Sequence, residues 1–101
     1  MNEDALAAAA EQLPTQYAER IGEQGVEGLN AFAVGGEWGL VIQELLAGLQ
    51  AVGATITPTE REHLGELITS LDPDEVEAIT YGPPLTERLQ QIPVREESAE
   101  N

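Results

Sequence analysis

The sequence predicts an all-α fold, a compact single-domain bundle of four to six helices with short connections. Three observations carry this. Trp38, Val41, Ile42, Leu45, Leu49 and Val52 fall at i, i+3, i+4, i+7, i+11 and i+14, one stripe along a helix from about Gly36 to Val52. Two segments, Thr57-Pro58-Thr59-Glu60 and Asp72-Pro73-Asp74-Glu75, carry the cap, proline and acid of a helix start. No alternation of period two runs long enough for a useful strand.

Each element follows from its residues. Glu3 to Leu13 is alanine-rich and begins with acids, which suit the positive end of a helix dipole. Pro14 closes that helix or opens the next. Tyr17, Ile21, Leu29, Phe32 and Ala33 keep helical spacing but are interrupted by Gly22, Gly25 and Gly28, which predicts two short helices, Pro14 to Glu23 and Val26 to Val34. Gly35-Gly36 ends the region, and the Trp38 helix follows, with Leu46 widening its stripe and Gly53 stopping it. Ala54-Thr55-Ile56 is a short extended link. The capped helix from Thr57 carries Leu64, Leu67, Ile68 and Leu71 at i, i+3, i+4 and i+7. The start at Asp72 opens a further short helix holding Val76 and Ile79, broken by Tyr81-Gly82-Pro83-Pro84. Leu85, Leu89 and Ile92 mark a last helical turn. The helical domain is expected over residues 1–93, and residues 94–101 read as an acidic, solvated, disordered tail.

Charge and composition narrow the function classes. The chain has 101 residues, 19 of them acidic, against four arginines and no lysine, for a formal net charge of −15. That sign opposes direct binding to nucleic acid or an anionic membrane. There is no cysteine, so disulfides and thiolate metal sites are excluded. Met1-Asn2-Glu3-Asp4 is acidic, unlike the basic start of a secretory signal, and no apolar run is long enough to cross a bilayer. A cytoplasmic protein is the expectation. Neither the stoichiometry nor the oligomeric state is legible.

Catalytic chemistry finds little purchase. His63 is the one histidine, set among Glu60, Glu62 and Glu66 at the edge of the Leu64 stripe. A nucleophilic site needs a base within hydrogen-bond reach and a group orienting it, and no serine or cysteine partner is recognisable. Helical phosphotransfer domains follow their histidine with lysine and glycine. Here the run is His63-Leu64-Gly65-Glu66, whose charge repels a phosphoryl donor. Acyl carriers need a serine opening a helix, whereas Ser70 stands near a helix end and Ser98 in the tail. Asp72, Asp74, Glu75 and Glu77 crowd together, but Pro73 breaks the alternation of a calcium loop, and capping accounts for Asp72 and Glu75. No catalytic residue, cofactor or metal is expected.

What is left is the acid itself. Glu60, Glu62, Glu66, Asp72, Asp74, Glu75 and Glu77 place seven acids in 18 residues, with Arg61 as the single cation among them. The apolar positions take the inward faces of these helices, so the acids are expected to look outward. An ordinary solvated face is the plain alternative. Soluble surfaces usually mix signs, however, since a large single-sign field is unfavourable unless it steers a partner. These seven residues are the expected partner-binding surface, and the expected partner is a basic protein. Trp38 begins the apolar stripe and is expected in the core rather than at an interface.

The run Gly36-Glu37-Trp38-Gly39-Leu40-Val41-Ile42-Gln43-Glu44-Leu45 resembles the start of the central helix in MafI-like immunity proteins. The following turn, the Thr-Pro-x-Glu start at Thr57 to Glu60 and the aliphatic helix to Leu71 are similar too. Val41 and Gln43 depart from the pattern, in which alanine and glutamate are common at those places. The resemblance spans about Val34 to Leu71. It implies a non-catalytic inhibitor that protects a bacterium from a polymorphic or contact-dependent toxin, often a nuclease with a basic cleft. The alternative is a regulatory adaptor that binds a basic or amphipathic segment in a groove between its own helices.

Overall fold

The structure, a computed structural model, describes residues 2–74 and 83–96. Five helices stand in this range: α1 (Glu3–Gln16), α2 (Ala18–Val34), α3 (Trp38–Ala51), α4 (Pro58–Ser70) and α5 (Leu85–Gln91). No strand is present among the described residues, and the fold is an all-α bundle.

α1 begins at Asn2, whose Oδ1 accepts from the Ala5 amide at 2.8 Å, with Glu3 and Asp4 in the first turn. Leu6, Ala10, Leu13 and Tyr17 line its buried side at i, i+4, i+7 and i+11. The helix does not stop at Pro14. It runs on to Gln16, with the proline ring buried, and closes at Tyr17, whose amide donates to the Leu13 carbonyl. The two short helices expected over Pro14–Val34 have other bounds: Pro14 to Gln16 complete α1, and α2 is two helical pieces joined across a kink. The break lies at Gly22, with φ 77° and ψ 175°, a region only glycine occupies without strain. One turn on, a Cβ at Gly25 would fall 2.8 Å from Ile21 Cβ. Ile21 Cγ2 in turn would meet a Cβ at Gly48 of α3 at 3.6 Å, so small residues flank Ile21 on both helices.

α3 is the core helix. Val41, Ile42, Leu45, Leu46 and Leu49 are fully buried, and α1 and α2 pack against it. Trp38, expected in the core, is half-buried and packs against the core cluster rather than within it. Val52 departs from the stripe. It caps the helix and is 56% exposed, because Gly53 at φ 66° turns the chain and lets the Ala54 amide reach the Leu49 carbonyl.

α4 starts with the expected capping box. Thr57 Oγ1 accepts from the Glu60 amide at 3.1 Å, and Glu60 Oε1 accepts from the Thr57 amide at 2.9 Å. Leu64, Leu67, Ile68 and Leu71 face inward. α5 packs on α4 and α3 through Leu85 and Leu89. Beyond it, the expected tail is tied down at its start. Ile56 and Val94 form an isolated parallel bridge, in which the Ile56 amide donates to Pro93 O at 3.0 Å and the Arg95 amide to Ile56 O at 2.8 Å. Ordered backbone therefore extends past residue 93. At Asp72 the Oδ1 accepts from the Asp74 amide at 2.9 Å, the bond a cap there would make. The helix expected to hold Val76 and Ile79 lies outside the described residues.

Candidate functional site: the acidic surface of α4

The expected contact run divides into three parts. Glu62 and Glu66 stand one turn apart on α4, both exposed. Asp72 and Asp74 follow the end of the helix and are exposed too. Glu75 and Glu77 lie outside the described residues. Glu60 does not look outward, and here the sequence reading is corrected. Its Oε1 lies 2.8 Å from Arg20 Nη1 and its Oε2 2.6 Å from Arg20 Nη2, a two-pronged pair whose side chains are 23% (Arg20) and 14% (Glu60) exposed. With the capping bond added, both oxygens are occupied, and Glu60 is withdrawn from any acidic contact face.

Arg20 is held from several sides. Its guanidinium lies 4.8 Å from the centroid of the Tyr17 ring and reaches the Thr55 carbonyl at 3.4 Å. The hydrogen bond to Glu60 raises its pKa further, against the lowering effect of burial. Burial alone would raise the Glu60 carboxyl, but Arg20 and the Thr57 amide outweigh it and hold the group below its usual range. Burial, then the charge of Glu60, pushes the Tyr17 hydroxyl well above its ordinary value, and its Oη has no partner among the described residues. This cluster joins the start of α2 to the start of α4. Its role is structural, and the sequence reading missed it.

His63 is half-buried, and its buried Nε2 has no hydrogen-bond partner among the described residues. At the end of α4 the Thr69 and Ser70 hydroxyls both donate to the Glu66 carbonyl, at 3.0 and 2.8 Å. Among the described residues no group of three or more histidine, aspartate or glutamate side chains is arranged to hold a metal ion. No helix there is long and apolar enough to cross a membrane.

Two concavities border the acids. The larger is an open groove of ≈ 660 Å³ between α4 and α5. Arg61, Glu62, Gly65, Glu66 and Thr69 line it from α4, with Pro58 at the helix start, Thr86, Leu89 and Gln90 from α5, and Val94 from the chain beyond. The smaller hollow, ≈ 260 Å³, gathers Glu3, Leu6, Trp38, Ser70 and Asp72 where the starts of α1 and α3 meet the end of α4. The α4 face on the groove was expected to look outward as a contact surface, and only the packing of α5 shows that it lines a groove. No family model matches the chain, and no curated protein or solved structure does either.

Proposed function

We propose that this chain is a non-catalytic, immunity-type inhibitor that binds and neutralises a basic bacterial toxin domain, a nuclease by preference, in the cytoplasm. The observation that carries the proposal is the exposed acid on and just beyond one helix, Glu62, Glu66, Asp72 and Asp74, in a chain with four arginines and no lysine. Such a field accelerates encounter with a cationic cleft and takes the place of phosphates there. Glu75 and Glu77 extend the proposed surface in sequence. The likeness of Gly36 to Leu45 to the MafI-like central helix supports the same reading. The groove between α4 and α5 would serve an adaptor as well as an inhibitor.

The test is to read the gene beside this one and, where it encodes a toxin, to co-express the two. The intact chain should restore growth. The variant with lysine at Glu62, Glu66, Asp72 and Asp74 should not, while keeping its helical circular dichroism. Full rescue by the lysine variant would refute the acidic contact. A secretion or transcription gene in that position, with no toxin, would favour the adaptor.

A further inference from the structure

We infer that the groove between α4 and α5 seats one amphipathic helix of the partner, an aliphatic side chain over Gly65 and Leu89 and lysine or arginine beside Glu62 and Glu66. This rests on the acidic-contact reading proposed above and specifies its site. The groove has an apolar floor, and its α4 side carries two acids, Glu62 and Glu66, against one cation, Arg61. Leu89 and Val94 supply the apolar surface, and Glu62 and Glu66 lie along the α4 side with the spacing of successive turns. A basic helix carries its own cations at that spacing.

Gly65 supplies a second observation. Glycine inside a helix is less stable than alanine. Nothing in the fold requires glycine here: its φ is not positive, and a Cβ would sit 3.9 Å from Leu89 Cδ2, an ordinary contact. What the missing side chain leaves is depth in the groove above Leu89. The two long sides of the groove are helices, whose interior amide and carbonyl groups already bond to each other. A helical occupant satisfies its own backbone and needs nothing from them.

The experiment titrates the full chain, ¹⁵N-labelled, with a synthetic leucine/lysine amphipathic helical peptide and with its leucine/glutamate counterpart. The lysine peptide should shift the amides of Glu62, Gly65, Thr69, Leu89 and Val94, and the glutamate peptide should not bind. Gly65→Leu fills the floor, and Thr86→Trp obstructs the opposite wall without touching the α4 face. Each should weaken lysine-peptide binding at least tenfold, as should Glu62→Lys with Glu66→Lys. If only charge reversal weakens binding, the groove is overturned and the acidic contact stands. If neither does, both are overturned.

Discussion

Glu60 performs two tasks with one carboxylate, capping α4 and clamping Arg20. The sequence discloses the first, because Thr57-Pro58-Thr59-Glu60 has the spacing of a capping box. It conceals the second, since no spacing rule links Glu60 to Arg20, 40 positions earlier. Counting Glu60 among outward acids was therefore an error of partner rather than of helix. The pairing has a pH signature. The folded carboxyl is held below its usual range, so its contribution is present above the unfolded value, about 4.3, and is lost as pH falls through the folded one. In urea unfolding, Glu60→Gln should be less stable than the parent by about 1–2 kcal/mol at pH 7, the scale of a charged hydrogen bond partly open to solvent. The gap should narrow below about pH 4, where the parent also loses its charge. A gap unchanged at pH 3 would show that the carboxylate charge contributes nothing.

Among the elements, α3 was the most legible, because a long apolar stripe ended by glycine has few other readings. α1 and α2 were less so. Pro14 read as a boundary, yet the chain stays helical for two residues beyond it, with the ring buried on the core side. Three glycines blurred the break in α2, and only Gly22 makes it. Glycines that look alike in sequence thus hold different positions, and substitution separates them. Gly22→Ala should destabilise by about 1–3 kcal/mol, because alanine must enter a region that only glycine tolerates, although the space around it is empty. Gly65→Ala should stabilise by about 0.5–1 kcal/mol, since the helix gains propensity and a methyl fits. Thermal or urea unfolding of the two variants checks both signs, and a destabilised Gly65→Ala would mean that the fold itself requires the glycine.

For the molecule as a whole, charge sets opposite demands on folding and on binding. A net charge of −15 repels itself in the compact state, and added salt screens that repulsion. Raising NaCl from about 0.02 M to about 0.3 M should raise Tm while weakening association with a basic partner. A Tm that falls with salt would mean that attractive pairs such as Arg20–Glu60 outweigh the repulsion. At this scale the sequence revealed an acidic stretch but not its division. Glu60 turns to Arg20, Glu62 and Glu66 take a groove wall, and Asp72 borders the hollow with Trp38. That division depends on which helix lies beside α4, and the seven-residue α5, with three apolar markers, gave no hint of its neighbour.

The bridge between Ile56 and Val94 makes one amide proton a reporter. α1, α2 and α3 pack on one another within residues 3–51, whereas the Arg95 amide is bonded only while the chain beyond α5 lies against the link before α4. Its exchange with deuterium measures how often that clasp opens, separately from loss of the shared core. Arg95 should exchange faster than Leu45 and Leu49. A peptide seated beside Val94 should slow Arg95 and leave the core amides at their former rates.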